Sequence, residues 1–432
     1  MSLILSLNAG SSSLKISLYR RADPVELILT SSITNISTPS AKFSFDATTE
    51  PAPGITNHAD AFAHFLSRLA SHSPPYPPAE IRYICHRVVH GGAFTTRTPI
   101  DASAYDRIAA LSDLAPLHNG AALSVIKACI HRLPTAHSVA YFDSAFHASI
   151  PRHISTYAID QDVAAQRGLK KYGFHGLSFS FILRATSTHL SLPASSLNLI
   201  VLHLGSGASA CAISSGSSLD TSMGLTPLSG LPGATRSGTV DPSLIFHYTN
   251  TAGRMTHDPA SAVALRVTRA EEILNRGAGW NALAGTTDFG RIVTVATRKR
   301  EEGKEETEEG RRCKLAFDLF VDRVLDFVGA YHLKLGGEVD ALVFAGGIGE
   351  RSVELRRVVA QKIECLGYVR VDERRNGEVD GRKGVVFDIG VEGEHMNARR
   401  AKKILVCRTD EQVEMARSCA LDDEFWGSES HQ

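Results

Sequence analysis

Two stretches in different halves of the chain share one design, and that repetition constrains the fold more than any other feature. "LILSLNAGSSSLKISLYR", from Leu3, sets Leu3, Leu5 and Leu7, then Leu14, Ile16 and Leu18, at period two around a polar connection that holds a glycine, the pattern of a β-hairpin. "IVLHLGSGASACAI", from Ile200, repeats it: setting Asn8 on His203 places Gly10 on Gly205 and Ser11 on Ser206 without a gap. Two hairpins of one pattern in two halves predict a duplicated domain. A third glycine turn follows in "ALVFAGGIGE", where an apolar strand from Ala341 runs into Gly346, Gly347 and Gly349 before a helix, a context in which backbone can approach a nucleotide closely.

The first connection is rich in donors. Backbone N–H groups beside Gly10, the hydroxyls of Ser11, Ser12 and Ser13 and the ammonium of Lys15 can converge on an anion such as phosphate; the alternative is a Ser-rich surface turn with a solvated lysine. The length of 432 residues allows two or three domains with buried cores, and 43% hydrophobic with 21% charged residues is an ordinary globular composition. Lys plus Arg equals Asp plus Glu at 46 each, which removes the overall electrostatic case for nucleic acid or an anionic membrane. No apolar run reaches the roughly 18 residues of a membrane span, and no basic region followed by an apolar core opens the chain. Seven cysteines without a C-x-x-C pair argue against a disulfide framework or structural zinc, so a reducing cytoplasm is expected.

Residues 38 to 58, rich in Pro, Thr, Ser and Gly, read as an irregular connection, and "SHSPPYPPAEI" from Ser71 as a structural break. The mixed-charge run 298 to 312, "RKREEGKEETEEGRR", reads as an inserted solvated loop or frayed helix end, and Val371 to Gly384 as a second surface excursion.

The three glycine turns resemble the two phosphate loops and the adenosine loop of the acetate and sugar kinase, Hsp70 and actin superfamily. Within it the blocks "NAGSSSLK" at Asn8, "HRVVHGG" at His86, "FDSAFH" at Phe142, "YGFHG" at Tyr172, "DTSMGLTPLSGL" at Asp220, "TRSG" at Thr235 and "TDEQ" at Thr409 resemble those of the acetate kinase family, in its order, from Ser6 to about Arg417. The resemblance implies an α/β fold of two duplicated ribonuclease H-like (actin-like ATPase) domains with an interdomain active-site cleft. The first would span 1–150 with about 388–432 folded back onto it, and the second 151–387, each on a mixed five-stranded sheet. It also implies a cytoplasmic homodimer that makes acetyl phosphate and ADP from acetate and ATP, reversibly, in acetyl-CoA biosynthesis.

Phosphoryl transfer to a carboxylate brings anions together, so such a site must supply positive charge and in-line geometry rather than a strong base. Arg87 follows an apolar run and Arg236 sits in a Ser/Thr/Gly loop; either can instead bridge a surface carboxylate. The resemblance implies that both clamp the acyl carboxylate and the transferring phosphoryl. It implies that His175 donates to the equatorial oxygens and that His118 lies near the phosphates, although an isolated histidine is more often structural. The resemblance implies that Asp143 completes the acidic pair and holds an arginine or the metal, where otherwise it simply caps a turn, and that Asn8 and Glu411 hold Mg2+, with Mn2+ as an alternative. Val89, Leu117, Phe174 and Pro227, otherwise ordinary core, would line a small apolar pocket around the substrate methyl, fitting acetate best and propionate next.

The nucleotide would be held by Ser11, Ser13 and Lys15, by His203, Leu204, Gly205, Ser206 and Gly207, by Asp288, Phe289 and Arg291, and by Gly347, Ile348, Gly349, Glu350 and Arg351. The sequence departs from the family at several of these. Ser206 replaces an asparagine and offers a shorter donor, Ala234 and Thr239 replace glycine and aspartate, and Gly346 and Arg351 replace alanine and asparagine. Gly290 is inserted into the adenine-flanking Asp-Phe-Arg. Two alternatives follow: an Hsp70-like or actin-like ATP-binding module, which has no use for Arg87, His175 and the small pocket, and a pyrophosphate-dependent acetate kinase, which keeps the acyl site and loses nucleotide contacts.

Overall fold

The computed structural model describes residues 2–72, 76–111, 116–248, 255–257, 266–298, 306–391 and 402–426. Leu3, Leu5, Leu7, Leu14, Ile16 and Leu18 are all buried, as their alternation requires, in an antiparallel pair formed by β1 (Leu3–Gly10) and β2 (Ser13–Arg20). Pairing continues to Gly10 opposite Ser13, so the donor-rich connection is largely strand and only Ser11 and Ser12 form the turn. Glycine suits this corner because a Cβ on Gly10 would stand 2.7 Å from Ser13 Oγ.

The remaining strands of the first sheet are β3 (Glu26–Thr34), β4 (Lys42–Phe45), β5 (Thr48–Pro51), β6 (Ile81–Val88), β7 (Thr98–Pro99) and β8 (His137–Phe142). They form eight strands in the order β5-β4-β3-β2-β1-β6-β8-β7. The second sheet has six, from β9 (Leu199–Leu204), β10 (Ala208–Ser214), β11 (Ser217–Thr221), Ala341–Ala345, Val386–Asp388 and Lys403–Cys407. Both differ from the expected five, yet a five-stranded core is common to them. In β3-β2-β1-β6-β8 the first two pairings are antiparallel and the next two parallel. In β11-β10-β9 followed by Ala341–Ala345 and Lys403–Cys407 the same sequence of pairings recurs. Each core also carries one short antiparallel strand at its last edge, β7 in one case and Val386–Asp388 in the other. The duplication seen in the hairpins thus extends to whole sheets. The excess in the first sheet comes from the hairpin β4–β5, inside the stretch read as irregular, whose four-residue strands are too short to leave a periodic signal.

Residues up to Ala145 and from Asp410 onward form one compact unit, and the chain between Phe146 and Thr409, apart from His257–Val267, forms the other. The returning C-terminal segment therefore begins at Asp410, later than the expected 388. The reason is hydrogen bonding: Val386–Asp388 and Lys403–Cys407 are paired into the second sheet. What returns is the helix Glu411–Ala420, which packs on β1, β6 and β2. Asp410 caps it by accepting from the Gln412 and Val413 N–H groups at 3.0 and 2.9 Å. Ser6 Oγ donates to the Gln412 carbonyl at 3.1 Å while Gln412 Nε2 donates to the Ser6 carbonyl at 3.0 Å, locking the helix start to β1.

The first unit buries Leu5, Leu14, Phe62 and Phe65 in one cluster, and the second buries Leu202, Phe320, Phe344 and Val406 in another. Each such side chain contributes ~1.5–3 kcal/mol on leaving water. The charged run from 298 resolves differently from a loop at its far end: Glu308 to Arg312 open a helix that continues to Lys334, capped by Thr307, and residues 299–305 lie outside the described residues. The polar excursion after Val371 contains a short helix, Glu373–Gly377, whose Asn376 is buried and accepts from Arg356 Nε at 2.6 Å. None of the described helices is long and apolar enough to cross a membrane.

Candidate active site

In the first unit, strand ends and the returning helix bring four polar side chains together. Arg87 is the penultimate residue of β6, Asp143 follows β8, Asn8 lies in β1 and Glu411 opens the C-terminal helix. Parallel pairing of β1 with β6 and of β6 with β8 sets these positions side by side at the ends of the sheet. Asp143 is fully buried, and its amide donates to the Val88 carbonyl at 3.0 Å. Its carboxylate accepts from Arg87 Nη2 at 2.6 Å and from Nε at 3.2 Å. Arg87 Nη1 reaches Asn8 Oδ1 at 3.1 Å and Glu411 Oε2 at 3.3 Å, and Asn8 Nδ2 donates to the same Glu411 oxygen at 2.8 Å. Burial by itself would weaken the Arg87 charge, but the carboxylates of Asp143 and Glu411 outweigh it and hold the guanidinium protonated well above its ordinary range.

The loop that leaves β6 is built with equal care. His90 is buried; its N–H donates to Asn119 Oδ1 at 3.0 Å and its carbonyl accepts from Asn119 Nδ2 at 2.9 Å. Gly91 donates to Ser144 Oγ at 3.0 Å, and a Cβ on it would stand 2.8 Å from the Phe142 side chain. Ser144 lies in the block quoted at Phe142, but neither its partner nor that of Asn119 is legible in the sequence, because a clamp across the fold has no local spacing. Lys15, directly opposite Asn8 in the hairpin, is exposed, as is Ser11, while Ser13 is half-buried.

In the second unit His175 adopts the left-handed conformation (φ 60°) immediately before the helix Gly176–Leu190. Its Nδ1 is 2.8 Å from Ser209 Oγ, and its ring lies 4.4 Å from that of His203. The preceding loop is held from beneath by His147, a buried side chain that contacts the Phe174 carbonyl through Nε2 at 3.0 Å and Ser218 Oγ through Nδ1 at 2.7 Å. Burial lowers the His147 pKa to about 4, so it is a neutral strut. Phe174 and Pro227 are buried and Val89 in the first unit half-buried. Leu117 and His118 begin the helix Pro116–Arg132, and their side chains lie outside the described residues.

Arg236 lies across the turn between β9 and β10: a Cβ on Gly207 would fall on its guanidinium. The Ser206 carbonyl accepts from Ala234 N–H at 2.9 Å, and the Arg236 carbonyl from Gly233 N–H at 2.9 Å, tying the two loops together. Beside this turn a cavity of about 620 Å³ is lined by Gly205, Ser206, Asp288, Gly290, Gly347 and Arg351, with Ile348, Phe289, Trp280 and Val293 on its apolar wall. Gly346 adopts φ +74°, and a Cβ there would stand 2.7 Å from the Leu204 carbonyl, so the loop approaches β9 as only glycine allows.

The Acetokinase family model matches residues 3–417. The chain belongs to the acetokinase family. It is 46% identical to a probable acetate kinase of Chaetomium globosum over 98% of this chain and 99% of that one. It is 37% identical to the acetate kinase of Bacillus mycoides, over 96% and 98%. Among solved structures, a propionate kinase from Francisella tularensis matches with TM-score 0.81 at 32% identity, covering 96% of this chain and 98% of that one. The acetokinase fold is thus two actin-like ATPase domains, and the protein is a phosphotransferase of the acetate kinase class.

Several residues expected at the nucleotide are not part of this cavity's wall. Arg291 is exposed and pairs with Glu309 through Nη2 at 2.6 Å; it is not part of the cavity wall. Glu350 also lies off the wall, where its carboxylate accepts from Thr409 N–H at 3.3 Å. Phe289 is buried edge-on against Trp280 and Phe320, closing the floor of the cavity. Leu204 is fully buried core, and His203 meets His175 rather than the cavity.

Proposed function

We propose that this acetokinase transfers the γ-phosphoryl of ATP to acetate, reversibly and by direct in-line displacement, giving acetyl phosphate and ADP. The observation that carries the reading is the cavity beside the Gly205–Gly207 turn: about 620 Å³ is room for a nucleoside, and a pyrophosphate enzyme has no use for it. Arg87 is the acyl carboxylate's partner in this reading, already oriented by Asp143. Arg236, in the room that Gly207 leaves for its guanidinium, and His175, held by Ser209, stabilise charge on the transferring phosphoryl as donors.

Asn8 Nδ2 donates to Glu411 Oε2 at 2.8 Å, which holds an amide and a carboxylate side by side, and their hard oxygen atoms are of the kind that fits magnesium. Magnesium commonly keeps several waters and substrate phosphate oxygens beside one or two protein ligands. Magnesium, when bound, would offset charge on the nucleotide phosphates. Val89, Phe174 and Pro227 favour a short acyl chain, acetate before propionate. We further propose a cytoplasmic homodimer. Incubation with ATP and acetate, with and without magnesium, tests the reading: metal-dependent acetyl phosphate supports it, and none at any divalent-ion concentration contradicts it.

A further inference from the structure

One peptide plane in the second unit is held at both of its edges. It joins Gly224 to Leu225 in the loop that follows β11, and its N–H and carbonyl point in opposite directions, as in any trans peptide. At one edge the Leu225 N–H donates to Tyr157 Oη at 2.8 Å. At the other the Gly224 carbonyl accepts from Tyr172 N–H at 3.0 Å and from Gly173 N–H at 3.2 Å. Tyr157 reaches the plane from the connection between the short helices Arg152–Ser155 and Gln161–Arg167, and it is half-buried there. Gly224 lets it come so near: a Cβ on that residue would stand 2.4 Å from the hydroxyl oxygen.

Two side chains assigned to the acyl pocket hang from this plane. Pro227 stands two residues beyond Leu225, and Phe174 follows Gly173 directly; both are buried. The far end of the Pro227 loop is clasped as well, Gly230 N–H donating to Thr239 Oγ1 and the Gly230 carbonyl accepting from Thr239 N–H, each at 2.9 Å. Turning the plane would break the bonds to Tyr172 and Gly173 together with the one to Tyr157, so the phenol steadies both loops at once. A small apolar pocket separates acids that differ by one methylene by roughly 10- to 200-fold, and a wall that yields gives up part of that ratio.

We propose that Tyr157 is a positioning residue that sets the size of the acid this enzyme accepts, by holding the loops of Phe174 and Pro227 through the Gly224–Leu225 peptide. The inference rests on the reading of those two side chains as acyl-pocket walls, and it names the group that keeps them rigid. Tyr157 acts through them and not on the reacting atoms. Initial rates of acyl phosphate formation from acetate and from propionate, with ATP and magnesium, test it in the wild type, Tyr157→Phe and Gly224→Ala. Tyr157→Phe removes the acceptor and keeps the ring, whereas Gly224→Ala crowds the hydroxyl off the same amide. In both, the ratio of kcat/KM for propionate to that for acetate is expected to rise about fivefold, with KM for ATP within about twofold of wild type. A merely structural role would lower the melting temperature and slow both acids equally. An unchanged or lowered ratio in folded Tyr157→Phe, total loss of both activities included, would therefore overturn the proposal, as would an equal rise in KM for ATP. A wild type that makes acyl phosphate from neither acid would overturn the acetate kinase reading itself, a result separable from the others.

Discussion

Arg87 and Asp143 meet through both carboxylate oxygens, Oδ2 accepting Nη2 at 2.6 Å and Nε at 3.2 Å and Oδ1 accepting Nε at 3.3 Å, while the aspartate is sealed from solvent. The aspartate thereby fixes the guanidinium plane and leaves Nη1 toward Asn8 and Glu411. Arg87→Ala removes a charge-assisted clamp worth about 3 kcal/mol in the transition state, or about two orders of magnitude in kcat. It also strands a buried carboxylate, so its melting temperature should fall. Arg87→Lys separates the two effects: the charge beside Asp143 is retained, but the fork is lost. Steady-state kinetics and thermal melts should show Arg87→Lys folded yet still strongly impaired; wild-type turnover in it would end the assigned role.

Arg236 and Gly207 form a second testable pair. A methyl group on Gly207 would occupy the position of the Arg236 guanidinium, so Gly207→Ala should displace the arginine without touching its chemistry. Turnover should fall in both Gly207→Ala and Arg236→Ala, with the double variant little worse than Arg236→Ala alone, because both single changes remove one function. Additive losses in the double variant would show that the two act separately.

Stability should depend on pH through two buried histidines. Burial lowers His147 to about 4 and His86 to about 3, whereas both titrate near 6.5 in the unfolded chain. Below about pH 6.5 the unfolded state takes up protons that the native state refuses, so their contribution is complete above that pH and is lost as pH falls toward 4. Each ring steepens the decline by up to about 1.4 kcal/mol per pH unit. Urea unfolding between pH 7 and 4 should show the decline, and His86→Gln should flatten it; an unchanged slope would contradict the buried neutral assignment.

The duplicated hairpins were legible in the sequence because strand alternation and a glycine corner are local patterns: Leu3 to Leu18 and Ile200 to Ile213 announce themselves. What surrounds them is not local. The clamp of His90 by Asn119 and the support of Phe174 by His147 join residues far apart in the chain, and nothing in their spacing marks them. The same holds for the partners of Asp220: the residue opens a quoted block, but nothing in the sequence pairs it, buried in β11, with Lys171 and Lys334. Arg291 shows the opposite failure. Its block resembles the family's, but the side chain pairs with Glu309, eighteen residues on, and is not part of the cavity wall, a pairing that no local pattern announces.

The most direct test of the account is acetyl phosphate formation from acetate at saturating magnesium, with ATP and with pyrophosphate supplied in turn. The cavity beside Ser206 and Gly347 predicts robust, saturable synthesis from ATP and none above background from pyrophosphate. Robust synthesis from pyrophosphate with none from ATP would contradict it.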